Sequence, residues 1–270
     1  MYLALTIIKT RIASDSVKIF ADNSFKEEYF MNSYIIFGAN SDIAANLIEQ
    51  LSITNKIYAV ARSFSTHTYS KTNIEQIKTK FNDFNVVDSL ISELSMKDKN
   101  IVGVANFSGS IFIKPSHLTN ELDYESVMES NFKTSFAINR AVGKSLSNCS
   151  VLYISTTATM VGIANHDLIA ASKAAINGMV ISSAASYAHK NLRFNAIAPA
   201  LVDTKLAKQF LANEAGRKLS ESLNPLSKIG RPEDVANLAY FLLNPDNNWI
   251  TGQVIAVDGG MSTIRQKPRG

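Results

Sequence analysis

The sequence predicts an α/β fold, a single doubly wound parallel sheet with helices on both faces. Apolar runs such as Tyr34-Ile35-Ile36-Phe37 and Val151-Leu152-Tyr153-Ile154 do not alternate with polar residues, as strands covered on both faces require. Segments with helical spacing separate these runs, the pattern of a parallel sheet. A chain of 270 residues, 46% hydrophobic and 19% charged, is long enough to bury one large core of this kind.

The elements follow in order. Residues 1–30 read differently from the rest, with two short strand-like stretches, Leu3 to Ile8 and Ser16 to Phe20, followed by the turn residues Asp22-Asn23-Ser24. They are either an N-terminal appendage or lie before a natural start at Met31, so the main domain is expected over 31–270. The first strand holds Tyr34 to Phe37, and a helix over 42–51 carries Ile43, Leu47 and Leu51 on one face. Lys56-Ile57-Tyr58-Ala59-Val60 is the second strand. A segment over 74–81 ends at Asn82-Asp83, and 86–96 reads as a helix. A strand over 100–107, a long helix over 122–146 and the strand at Val151 come next. A helix over 168–190, a strand over 193–197, a helix over 235–243 and the strand Val254-Ile255-Ala256-Val257 complete the pattern.

Composition excludes several function classes. The single cysteine, Cys149, rules out an internal disulfide and a cysteine metal cage, and the four histidines lack ligand spacing, so no metal site is expected. The net charge of +4 is modest, and its cluster at Arg265, Lys267 and Arg269 reads as a solvated tail rather than a nucleic-acid contact. No apolar run approaches the ~18 residues that span a bilayer. A cytoplasmic protein with a small-molecule substrate and neither membrane nor nucleic-acid partner is the consistent expectation.

Gly38-Ala39-Asn40-Ser41-Asp42-Ile43-Ala44 follows the first strand and opens the first helix. A dinucleotide's pyrophosphate can rest there on backbone N–H groups. An ordinary turn capped by Ser41 or Asp42 has the same signature. At the end of the second strand, Arg62 and Ser63 replace the acidic residue that would hold a ribose 2′-hydroxyl. They suit a 2′-phosphate, hence NADP (NADPH) over NAD, unless Arg62 is simply solvated.

Further segments sharpen this reading: Asn106-Phe107-Ser108-Gly109, Glu129-Ser130-Asn131-Phe132, Ile169-Ala170-Ala171-Ser172-Lys173, Pro199-Ala200-Leu201-Val202-Asp203-Thr204, Gly230-Arg231-Pro232-Glu233-Asp234-Val235-Ala236, Ile250-Thr251-Gly252-Gln253-Val254 and Val257-Asp258-Gly259-Gly260. Over about 34–260 the chain resembles the short-chain dehydrogenase/reductase family, and its ketoacyl-reductase-like branch in particular.

The resemblance implies a Rossmann-type oxidoreductase interconverting a ketone and an alcohol. Gly38, Asn40, Ser41, Asp42 and Ile43 take the place of the family's Gly-x-x-x-Gly-x-Gly loop, of which only the first glycine remains. Asp42 is the awkward replacement, because a carboxylate repels phosphate unless it caps the helix. Asp83 matches the adenine-contact position, and Asn106, Ser108 and Gly109 the turn over the adenosine ribose. Thr156 takes the carbonyl-binding serine position, Asn131 the water-anchoring asparagine and Lys173 the ribose-binding lysine. Pro199, Val202 and Thr204 match the nicotinamide carboxamide site. The family's tyrosine is lost at Ile169, so a non-catalytic NADP-binding protein, a sensor or scaffold, stands as the alternative to an enzyme. His166, three residues earlier, is the candidate substitute proton donor, with a helix-start turn as its alternative role. Residues 205–224 match the substrate lid, where Leu206, Phe210, Leu211 and Leu219 suggest an acyl or hydrophobic substrate. Ala170, Ala171, Ala174, Ala175 and Gly178 suggest close helix packing, and the family implies a homodimer or homotetramer.

Overall fold

The computed structural model describes residues 32–212 and 214–265. The expectations for 1–30 and for Lys267 and Arg269 lie outside the described residues.

Seven strands form one sheet: β1 (Ser33–Phe37), β2 (Lys56–Ala61), β3 (Ile74–Lys78), β4 (Ile101–Asn106), β5 (Ser150–Ile154), β6 (Arg193–Pro199) and β7 (Val254–Val257). Their order is β3-β2-β1-β4-β5-β6-β7, and every pairing is parallel. The helices are α1 (Asp42–Leu51), α2 (Phe84–Lys97), α3 (Glu121–Met128), α4 (Thr134–Ser145), α5 (Asp167–Ser186), the short α6 (Lys208–Leu211), α7 (Glu214–Ser222) and α8 (Pro232–Leu243).

Alternation along each strand feeds two cores. In β1, Tyr34 and Ile36 pack with Leu47 and Leu51 of α1 and Ala239 and Leu242 of α8. Ile35 and Phe37 instead join Val87 of α2, Ile138 of α4 and Ile176 of α5 on the opposite face. Both faces are covered, so the whole strand is buried, which is why it lacks alternation in sequence. Cys149 sits in this interior, where burial pushes its thiol up to about 12, as an inert residue requires.

Two expectations change. The long helix over 122–146 is interrupted by a π-helical stretch, Glu129–Lys133, between α3 and α4. Side chains take over main-chain acceptors there: Asn131 Nδ2 donates to Val127 O at 3.0 Å, Thr134 Oγ1 to Glu129 O at 2.8 Å and Ser135 Oγ to Asn131 O at 2.9 Å. Secondly, α5 does meet the length and composition of a membrane-crossing helix, with a mean hydropathy of 1.3. Its alanines raise that value, while Ile176, Met179 and Val180 pack into the core.

No helix links β2 to β3. Residues 62–73 cross as a Ser/Thr-rich loop, anchored where Asn40 Oδ1 accepts from the N–H groups of Thr66 (2.8 Å) and His67 (3.0 Å). The chain leaves β1 for β2 on one side and returns to β4 on the other. That reversal opens a crevice above the carboxyl ends of β1 and β4, where open α/β sheets bind ligands.

Candidate active site

A cavity of about 840 Å³ occupies that crevice. Its floor is the turn after β1. Gly38 has φ +71°, and a Cβ on it would stand 2.5 Å from Ser108 N and 2.7 Å from Phe107 C. Only glycine permits both that backbone angle and that approach, which explains why this one glycine of the loop persists.

Ser41, not Asp42, is the N-cap of α1, its Oγ accepting from Ala44 N at 3.2 Å. Ala45 N donates to Ser41 O. The N–H groups of Asp42 and Ile43 have no partner among the described residues, and both residues line the cavity. Two donors at a helix N-terminus thus face the space, as an anion site needs. Asp42 points its carboxylate elsewhere: Oδ1 meets His67 Nε2 at 2.8 Å and Oδ2 accepts from Lys205 N at 2.6 Å.

One end of the cavity is formed by exposed Arg62 and Ser63 with Thr66, Phe81 and Asn82. Asp83 is not among its lining residues. Its carboxylate caps α2, accepting from Asn85 N at 2.8 Å and Val86 N at 3.1 Å, so Phe81 and Asn82 stand where Asp83 was expected. Asn106 likewise acts from behind the wall: it is 2% exposed, and its Oδ1 accepts from the Ser108 N–H (3.0 Å) and hydroxyl (2.6 Å). It shapes the turn that presents Ser108 and Gly109.

Lys173, Ile169, Thr156 and His166 line the opposite part. Lys173 is 6% exposed, and its Nζ donates to Ile154 O at 2.9 Å. Burial without an opposing charge pushes its ammonium down to about 8. A Cβ on Gly109 would lie 3.2 Å from Lys173 Nζ and 2.8 Å from Asn131 Oδ1, so a larger residue would crowd both groups. Asn131 is fully buried behind this wall. Its Nδ2 donates to Val127 O and Ser110 Oγ (both 3.0 Å), while its Oδ1 accepts from Ser110 N at 3.2 Å. Ser110, which the sequence did not single out, links Asn131 to the cavity together with Ser130.

Ile169 shares a face of α5 with Lys173, and both are buried. No tyrosine lines the cavity among the described residues. Tyr153 is wholly buried with its hydroxyl donating to Asn139 Oδ1 at 3.3 Å, and the Tyr187 ring crowds Gly143 and Phe194. His166 precedes α5 as a residue without a side-chain cap bond. Its Nδ1 meets Ala164 O at 2.8 Å, so that nitrogen carries the hydrogen and Nε2 is left as the other ring position.

Pro199, Ala200, Val202 and Thr204 form the rim above β6. Ala200 is not among the residues with positive φ, so it fits where the family has glycine. Beyond it, Leu206, Phe210 and Leu223 line the cavity. The other expected lid residues do not: Leu211 packs with Ala207 and Ile229, and Leu219 is 65% exposed on α7.

The family model described as Enoyl-(Acyl carrier protein) reductase matches residues 54–262. A tropinone reductase homologue of Arabidopsis thaliana is 29% identical over 217 residues, 73% of this chain and 82% of the relative. The hydroxynaphthalene reductase-like protein Arp2 of Metarhizium anisopliae is 35% identical over 173 residues, 59% of this chain and 65% of the relative. A short-chain dehydrogenase family protein of Francisella tularensis has the same fold, with TM-score 0.78 and 21% identity over 87% of this chain and 100% of that one. So does ElxO with NADP bound, with TM-score 0.77 and 24% identity over 86% of this chain and 98% of that one. With its all-parallel sheet, its crevice at the strand reversal and this match over most of its length, the chain belongs to the short-chain dehydrogenase/reductase family.

Proposed function

We propose that the protein is an NADP-dependent short-chain oxidoreductase interconverting a ketone and an alcohol on an acyl or otherwise hydrophobic substrate. The observation that carries this reading is one continuous cavity joining two kinds of chemistry. The N–H groups of Asp42 and Ile43, unpartnered among the described residues, and the cation of Arg62 suit the phosphates of a dinucleotide. Buried Lys173 and the hydroxyl of Thr156 suit a reacting centre at the other end. NADP bound to ElxO, a protein of the same fold, supports the same cofactor here. Among the lining residues, Leu206, Phe210 and Leu223 support an apolar substrate.

A bound nicotinamide would supply or accept the hydride. Lys173 would hold the adjoining ribose through its ammonium, and Thr156 would hold the substrate oxygen through its hydroxyl. Asn131 would fix Ser110 and, through it, the polar wall beside Lys173. His166 would exchange the proton that the family's tyrosine handles, through Nε2, since Nδ1 is taken by Ala164 O.

Purified protein with NADPH, simple ketones and β-ketoacyl thioesters tests this. Turnover that falls by about 10²-fold or more in His166→Ala is the expected result. Ile169 favours a second reading, a dinucleotide-binding protein without chemistry, since a buried isoleucine can neither give nor take a proton. Tight NADPH binding without turnover across the panel, with turnover gained in Ile169→Tyr, would decide for that reading.

Self-association through α5, as a homodimer or homotetramer, is part of the proposal. Ala171, Ala174, Gly178 and Ile181 form an exposed stripe on this helix, and a Cβ on Gly178 would meet nothing within 4 Å. Small side chains on an open helix face permit close approach of a second copy.

A further inference from the structure

The carboxylate of Asp42 is the one element of the cofactor turn that works against an anion, yet it is held in place by two bonds. It belongs to the first turn of α1, beside the N–H groups that face the cavity. Oδ1 contacts His67 Nε2 at 2.8 Å in the loop after β2. Oδ2 accepts from Lys205 N at 2.6 Å, at the residue that opens the 3₁₀ turn leading into α6. Three segments distant in sequence therefore meet on one side chain, whose own exposure is only 17%. Asn40 reinforces the first junction by accepting from Thr66 N and His67 N. The lid junction has no such support in this turn, and Asp42 alone among the turn's side chains bonds to Lys205.

A negative charge at the first turn of a helix is favourable in itself, because it complements the positive end of the helix dipole. Its oxygens are bonded to His67 and Lys205, away from the two open N–H groups of the turn. A dinucleotide's diphosphate arriving at Asp42 N and Ile43 N must come close to this carboxylate, and like charges in a partly buried site repel strongly.

We propose that Asp42 is an internal clasp that ties the start of the lid to the cofactor turn and competes with the diphosphate. Cofactor binding and the Asp42–Lys205 contact are then opposed in one equilibrium, so each weakens the other. This inference rests on the dinucleotide reading above, and it adds a residue that lowers affinity and holds the lid, without touching the reacting atoms.

The test uses the full chain and two variants. Asp42→Asn keeps a side-chain acceptor but removes the charge, and Asp42→Ala removes both. Hydrogen exchange over residues 204–211 is measured in the ligand-free proteins, and NADPH binding is measured by calorimetry. The clasp requires faster exchange over 204–211 in Asp42→Ala than in wild type, with exchange at α8 unchanged. Competition requires NADPH to bind about tenfold more tightly to Asp42→Asn, with the gain shrinking at high salt. Unchanged exchange in Asp42→Ala would overturn the clasp. NADPH bound equally or more weakly by Asp42→Asn would overturn the competition. If neither wild type nor variants bind NADPH, the cofactor reading fails and the competition with it, while the exchange result still judges the clasp independently.

Discussion

Replacing Lys173 by methionine should make the fold more stable while removing the ammonium proposed to hold the ribose. Lys173 is 6% exposed and carries an ammonium with one hydrogen bond, to Ile154 O. Desolvation lowers its pKa from 10.5 to about 8. At about 1.4 kcal/mol for each pH unit, keeping the charge in the folded state costs about 3 kcal/mol at pH 7. Methionine has similar length and no charge, so it removes that cost but leaves Ile154 O without its partner, an offset of about 1 kcal/mol. The net gain is about 2 kcal/mol, a rise in Tm of several degrees for a chain of this size.

The pH dependence fixes the sign. Below about pH 8 both folded and unfolded chains hold the proton, and the folded state bears the full cost. Between about 8 and 10.5 the folded chain has released it and the unfolded chain has not, so wild-type stability rises with pH relative to the variant. Above 10.5 the cost of the charge is gone, and only the hydrogen bond to Ile154 O, about 1 kcal/mol in favour of wild type, separates the two proteins. Urea unfolding of both proteins from pH 7 to pH 10.5 reads this directly. A stability difference that is flat with pH, or a destabilised Lys173→Met, would refute the claim that the ammonium is buried at a cost.

Other outcomes follow from the same geometry. Arg62→Ala should weaken NADPH about tenfold more than NADH in parallel titrations under the proposal that its cation serves the 2′-phosphate; equal losses would deny that role. Gly38→Ala should cost about 2–4 kcal/mol in urea unfolding, because the added methyl meets Ser108 N at 2.5 Å on a backbone at φ +71°. It should also abolish dinucleotide binding, and a variant of wild-type stability would contradict the packing described. Ile181→Glu, on the exposed face of α5, should halve the mass seen by light scattering if that face pairs two copies; an unchanged mass would place the contact elsewhere or nowhere.

Much of this architecture was legible because burial on both sides of the sheet writes itself into strands such as Tyr34 to Phe37 as unbroken apolar runs. The position of Lys173 and Gly38 was legible because each has a residue type that few alternatives replace. The π-helical stretch at Asn131 was not, since it depends on Asn131, Thr134 and Ser135 taking main-chain acceptors, and such side chains sit unremarkably in ordinary helices. Asp83 illustrates a different limit: a carboxylate before a helix serves as a cap or a ligand contact, and only the structure shows two N–H groups already on it. Its charge marks Asp42 as a misfit in the turn, but its partners His67 and Lys205 are too far away in sequence to be read from it. Ser110 carried no signal beyond following Gly109.

Calorimetric titration of the ligand-free protein with NADPH and NADH tests the central claim most directly. Binding of NADPH at one site per chain, tighter than NADH and lost in Gly38→Ala, is the predicted result. Heat changes absent for both dinucleotides, with a protein that remains folded, would contradict the account and reduce the family likeness to architecture.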